Sequence, residues 1–257
     1  MDDLFIDDLK SKLEFGDKIG SGGGGKSTIY RADFSRETVA AKVVWDGDKK
    51  SSFFENVIEA EANAIARVRS HDDTLLIPHL YGWGEVDSDV VLVEEYFSGL
   101  NLFKFMQSFS CSEEDNGVGV DSALRLVFGI ARCLEPIHKA GFVYLDLKPE
   151  NLVFPEMRKI QDYLVDLSDE SLRLVDFGLC MERGELLSLL KAKKHSRPGT
   201  PLYMSPEMIK GCYDDIAVQT DIYSLGVLFI ELLTFKEPMR GRTVHVTFEN
   251  HLNPSTL

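Results

Sequence analysis

The fold of this chain turns on Tyr144-Leu145-Asp146-Leu147-Lys148-Pro149-Glu150-Asn151. The stretch follows a helical pattern in which Leu124, Val127, Ala131, Leu134 and His138 trace one face. The pattern predicts a helix over 121–140, with Asp121 as N-cap and Gly141 where the helix stops. Pro136 lies inside it, where a proline costs roughly 3 kcal/mol or a kink. Asp, Asn and Pro are common turn residues, so the octapeptide alone fits a polar turn after a helix. Its neighbours decide otherwise.

Downstream, Asp176-Phe177-Gly178 follows a strand expected over 172–175. Gly199-Thr200-Pro201-Leu202-Tyr203-Met204-Ser205-Pro206-Glu207 comes next, then Asp221-Ile222-Tyr223-Ser224-Leu225-Gly226. The last opens a helix expected over 219–234 that is apolar on most sides and therefore buried. Upstream, strands are expected over 13–20, 29–34 and 39–45, then a helix over 53–68 with Ile58, Ala62, Ile65 and Val68 at helical spacing. Two more strands, 79–86 and 89–96, meet at the turn Asp87-Ser88.

The glycine run Gly20-Ser21-Gly22-Gly23-Gly24-Gly25-Lys26-Ser27 fits two phosphate-binding patterns. It is formally G-x-x-x-x-G-K-S, and through Gly20, Gly22 and Gly25 it is also G-x-G-x-x-G. Both use glycine so that backbone N–H groups approach phosphate without a Cβ in the way. The first pattern, a Walker A loop, must open a helix. Here a strand-like segment, Thr28 to Phe34, follows, with a second strand close behind, which favours the other pattern.

That second strand carries Val39-Ala40-Ala41-Lys42-Val43. With it the chain resembles the protein kinase family of Ser/Thr type, from about Leu13 to Phe235. The resemblance implies an α+β, bilobal fold: an antiparallel sheet with one helix, then a mostly helical lobe. It implies ATP and Mg²⁺ as cofactors and a protein substrate. Lys42 is then expected on the α- and β-phosphates, held by a helix glutamate, Glu61 by register with Glu59 as the alternative. Asp146 is expected to accept or orient the proton of the attacking hydroxyl, and Lys148 to steady the transferring phosphoryl group. Thr200 is expected to bond to both, and Asn151 and Asp176 to hold Mg²⁺. Gly20, Gly22, Gly25, Ile29, Ala40, Glu95 and Val153 complete the expected nucleotide contacts.

Four departures stand out. The glycine loop is wide, and Ile29 takes over from Ser27 the roofing of the base. Leu145 replaces the arginine that pairs with an activation-segment phosphate, and Tyr144 replaces histidine. Glu94 falls at the back of the expected base site, where burial requires a partner; Lys42 is the candidate, in competition with Glu61. After Phe235 the family continues with further helices, whereas Glu249 to Leu257 reads as polar tail, leaving Glu207 without an evident partner. The expected division is an N-terminal extension (1–12), an N-lobe (13–97), a C-lobe that looks incomplete (98–236) and a tail (237–257), with a partner as a possible cover for the exposed underside.

Composition fits this picture. The 257 residues are 44% hydrophobic and 27% charged, as in a globular chain. A net charge of -14 disfavours a nucleic-acid partner. Cys111, Cys133, Cys180 and Cys212 form no C-x-x-C pair, so neither zinc nor a disulfide framework is expected. No signal peptide opens the chain, and the most apolar stretch, Leu225 to Leu233, is too short to span a bilayer. A soluble, intracellular, most simply cytoplasmic protein is expected, with no membrane partner. A nucleotide-binding scaffold of the pseudokinase kind is the second reading, and a Walker A hydrolase the third. The retained set Lys42, Asp146, Asn151 and Asp176 favours the enzyme.

Overall fold

The structure, a computed structural model, describes residues 4–22, 27–44, 52–72, 75–109, 117–158, 167, 171–185 and 197–253. The chain divides into two compact units: Met1–Phe97 with Asp176–Gly178, and Ser98–Val175 with Leu179–Leu257.

The first unit begins with a short helix α1 (Leu9–Lys12) and the strands β1 (Leu13–Ser21), β2 (Ser27–Phe34) and β3 (Glu37–Val44). Helix α2 (Ser52–Arg69) precedes β4 (Leu80–Val86) and β5 (Asp89–Glu95). The five strands form one antiparallel sheet in the order β1-β2-β3-β5-β4. Both hairpin turns, Ser35-Arg36 and Asp87-Ser88, place two consecutive residues at positive φ, the twist that lets two residues join antiparallel strands. In β3, Val39, Ala40, Ala41 and Lys42 are all buried, because a central strand is covered on both faces. Val39 and Ala41 pack with Leu9, Leu13, Ala32, Val91 and Val93. Ala40 and Lys42 take the opposite face, where Ala40 pairs across to Glu94 and Lys42 to Leu92.

The residues expected as an N-terminal extension are part of this unit. The Ile6 N–H donates to the Trp83 carbonyl and the Trp83 N–H to that of Leu4. Gly82 and Gly84 admit the segment: a Cβ on Gly82 would lie 2.6 Å from the Leu4 oxygen, and one on Gly84 2.7 Å from that of Ile6.

The second unit holds α3 (Leu102–Phe109), α4 (Val120–Lys139), the short strand pairs β6 (Phe142–Val143) with β9 (Met181–Glu182) and β7 (Leu152–Val153) with β8 (Arg173–Leu174), then α5 (Pro206–Lys210), α6 (Val218–Thr234) and α7 (Val244–Leu252). Helix α4 starts two residues earlier than Asp121 as N-cap requires: Gly119 is the cap, and Asp121 sits in the first turn, where its charge suits the helix dipole. Pro136 is accommodated within the helix.

The C-terminal stretch departs from the expected polar tail. Val244–Leu252 is a helix, N-capped by the Thr243 side chain, which accepts from the Val246 N–H. Phe248 and Leu252 pack against the cluster of Val143, Leu145, Met204, Met208, Ile209 and Ile216. Among the described residues, no helix is long and apolar enough to cross a membrane.

Candidate active site

In the first unit, the Lys42 ammonium donates to both carboxylate oxygens of Glu61, at 2.7 and 2.9 Å, and to Asp176 Oδ1 at 2.8 Å. Glu61 is buried on α2, whereas the alternative, Glu59, is exposed. Burial works against the lysine charge, but the carboxylates of Glu61 and Asp176 outweigh it and hold the Lys42 pKa above the ordinary lysine value. Asp176 stands at φ +64°, a left-handed conformation rare for a residue with a Cβ, and its Oδ1 also accepts from the Gly178 N–H at 3.4 Å.

Glu94 does not pair with Lys42. Its side chain is buried, 7% exposed, and Oε2 has no hydrogen-bond partner among the described residues. An ammonium has three donors, and those of Lys42 go to Glu61 and Asp176. Burial, reinforced by the charge of Glu61, pushes the Glu94 carboxyl up to about 8, so at neutral pH it is mostly protonated.

The described residues that follow the glycine run, Ser27–Phe34, are the strand β2 and not a helix, which removes the structural context of a Walker A loop. Gly20 pairs with Ile29, and the Gly22 N–H donates to the Ser27 carbonyl at 3.0 Å. A Cβ on Gly22 would collide with the Ser27 hydroxyl. Gly25 and Lys26 lie outside the described residues. Glu95, at the end of β5, receives the His79 N–H on its carboxylate at 3.0 Å, and its own N–H donates to the His79 carbonyl.

In the second unit, the catalytic-loop candidates converge on Asp146. Its Oδ1 accepts from the Thr200 hydroxyl at 2.6 Å, and its Oδ2 from the Lys148 ammonium and from Asn151 Nδ2 at 3.3 Å. Asn151 Nδ2 also donates to the Asp146 carbonyl at 3.0 Å, and Lys148 reaches the Thr200 hydroxyl at 3.4 Å. Val153 lies two residues on, in β7, half-buried.

The loop is held from beneath by Asp221 of α6, which is fully buried. Asp221 Oδ2 accepts from the Tyr144 N–H and Oδ1 from the Leu145 N–H, both at 2.9 Å, and His138 Nε2 lies 2.8 Å from Oδ2. These bonds fix Leu145 at φ +71°, immediately before Asp146. The Leu145 side chain joins the apolar cluster with Met204 and Met208. Glu207 is not without a partner: the Thr220 hydroxyl donates to it at 2.7 Å. Ser196 and the basic residues before it, Lys191, Lys193, Lys194 and His195, lie outside the described residues.

The structure thus brings Lys42, Glu61 and Asp176 together in one unit, and Asp146, Lys148, Asn151 and Thr200 together in the other. Two supports carry weak sequence signals: the pairing of Glu207 with Thr220, and that of His251 with the Pro201 carbonyl.

Residues 13–256 match the protein kinase domain family. The chain is 26% identical to a probable serine/threonine-protein kinase of Clostridium perfringens, covering 92% of this chain and 31% of that protein. It is 28% identical to an Aurora kinase of Patiria pectinifera, over 95% of this chain and 55% of that protein. It is 32% identical to the maternal embryonic leucine zipper kinase of Danio rerio, over 88% of this chain and 29% of that protein. The chain therefore spans between 29% and 55% of the length of these relatives, and with nearly all of its residues matched it belongs to the protein kinase domain family.

Proposed function

We propose that this chain transfers the γ-phosphate of ATP to a serine or threonine hydroxyl of a protein substrate. The observation that carries the reading is the Asp146 carboxylate, which is positioned through both oxygens by Thr200, Lys148 and Asn151. In this reading Asp146 takes or orients the proton of the attacking hydroxyl. The hydroxyl oxygen forms a bond to the γ-phosphorus as the bond to the β,γ-bridging oxygen breaks, and ADP leaves. Lys148 offsets charge on the transferring group, and Thr200 holds Asp146 and Lys148 in register. Lys42, fully protonated and aligned by Glu61, meets the α- and β-phosphates.

Gly20, Gly22 and Gly25 are assigned to the phosphates, and Ile29, Ala40, Glu95 and Val153 to the base. Asn151 and Asp176 offer the oxygen donors that suit a hard cation; with Asn151 Nδ2 committed to Asp146, its side-chain oxygen is the donor left to a metal. Mg²⁺, when bound, would supply charge neutralisation for the phosphates.

The test is a transfer assay with γ-radiolabelled ATP and a generic basic protein, comparing the parent chain with Asp146→Ala. Labelling by the parent alone, with nucleotide binding retained in both, supports the reading. No transfer above the Asp146→Ala background rejects it.

A further inference from the structure

Helix α7 carries a histidine where a surface helix has little reason to bury one. His251 is 3% exposed and both its ring nitrogens are engaged. Nε2 lies 2.9 Å from the Pro201 carbonyl oxygen. A carbonyl only accepts, so Nε2 carries the hydrogen. Nδ1 lies 2.8 Å from the Tyr223 hydroxyl of α6, and in the neutral ring it accepts from that hydroxyl. Burial keeps the imidazole below its ordinary pKa, consistent with this neutral tautomer.

The segment on the far side of that bond is the one that touches Asp146. Residues 200–203 form a turn closed by the Tyr203 N–H donating to the Thr200 carbonyl at 3.0 Å, with Pro201 at the position where its fixed φ suits a turn. The Thr200 hydroxyl reaches Asp146, the Pro201 carbonyl is held by His251, and the Tyr203 carbonyl accepts from the Ser224 hydroxyl at 2.7 Å. One turn before His251 on the same helix, Phe248 lies under the Arg197 guanidinium, 5.6 Å from its ring centre. Arg197 in turn donates to the Ile209 carbonyl at 2.9 Å. Helix α7 therefore grips the segment before Thr200 through Phe248 and the segment after it through His251.

We infer that His251 is a positioning residue for phosphoryl transfer: its bond to the Pro201 carbonyl fixes the turn whose threonine hydroxyl Asp146 and Lys148 share. The inference rests on the kinase reading above. It assigns to α7 a part in the reaction through residues that do not themselves touch the phosphates.

The test uses the full chain with His251→Phe, which keeps a ring but removes the donor, and His251→Gln, whose amide can donate again to Pro201. In the transfer assay, His251→Phe is expected to lower kcat about tenfold, the order of one lost hydrogen bond, with KM for ATP changed less than about twofold. His251→Gln is expected to recover to within about threefold of the parent. Tyr223→Phe, which removes the donor to Nδ1, is expected to fall between them and serves if His251→Phe does not fold. Amide exchange at Tyr203, read without nucleotide, is expected to speed up in His251→Phe and not in His251→Gln. A folded His251→Phe with the parent's kcat, a His251→Gln as damaged as His251→Phe, or KM for ATP rising in step with the loss of kcat overturns the inference. A parent without transfer rejects the kinase reading instead, and the exchange comparison then decides whether His251 holds the turn.

Discussion

The two polar clusters, one in each unit, are built on opposite principles. Around Lys42 a single ammonium faces Glu61 and Asp176, and Glu94 is coupled to all three without a hydrogen bond to Oε2. Around Asp146 both carboxylate oxygens accept from donors, and the backbone leading to it is tied to Asp221. The first cluster is crowded with negative charge, so protons and cations set its state. The second is saturated with hydrogen bonds, so geometry sets its state. A charge-changing substitution should therefore act through pH in the first cluster, and through loss of alignment in the second.

The largest effect is expected at Asp146. Asp146→Ala should lower transfer by about 10²–10⁴-fold, the usual range for a removed general base, while nucleotide affinity stays near that of the parent. A parallel loss of ATP binding would erase the distinction between the clusters. Lys42→Met should cost transfer about 10²-fold or more through lost electrostatic stabilisation. Lys26→Met, by contrast, should leave it nearly unchanged; the reverse ranking would revive the Walker A reading.

Next comes Asp221→Ala, which leaves two buried N–H groups, those of Tyr144 and Leu145, without their acceptor. At about 1–3 kcal/mol for each unsatisfied group, a stability loss of roughly 2–6 kcal/mol is expected in denaturant unfolding, together with loss of transfer. A stable, active Asp221→Ala would show that the catalytic loop does not need its brace.

The smallest effect separates the clusters by pH. Glu94 has its folded pKa raised from 4.5 to about 8, so between those values the folded chain keeps a proton that the unfolded chain has lost. Its contribution to stability is therefore present in full below pH 4.5 and is lost as pH rises to about 8. Glu94→Gln removes this titration. It should be more stable than the parent at pH 8, by up to a few kcal/mol, with the gap closing toward pH 4.5. An unchanged difference in midpoint across that range would mean that Glu94 finds a partner in solution.

The sheet was legible because its signals are local. Ser35-Arg36 and Asp87-Ser88 are polar breaks between β-branched runs, and the unbroken Val39–Val44 run marks a strand covered on both faces. The residues around Asp146 were legible as a motif, since Asp146, Lys148 and Asn151 are close in the chain. The brace was only partly legible, because Asp221 lies 77 residues beyond Tyr144 and side-chain-to-backbone bonds over such spans leave no periodic trace. Helix α3 had a readable start, as the Asn101 side chain accepts from the Lys104 N–H at 2.8 Å, yet its eight residues are too few for a clear period. Helix α7 was masked by composition: Val244-His245-Val246-Thr247 alternates as a strand does, and packing of Phe248 and Leu252 overrides that preference.

The short segment before α1 has a consequence of another kind. Strand β4 is one of the two edge strands of the sheet, and an edge strand offers unpaired N–H and C=O groups to any extended chain that meets it. Leu4 and Ile6 occupy those groups of Trp83, and Phe5 sets its ring edge-on to the indole at 4.9 Å. Leu9 plugs the gap below Gly84. A recombinant version cut at Leu13, where the family match begins, uncovers that rim together with the apolar surface under Leu9. Such a version should self-associate through strand-to-strand pairing, visible as a concentration-dependent rise in apparent mass that restoring residues 4–12 abolishes.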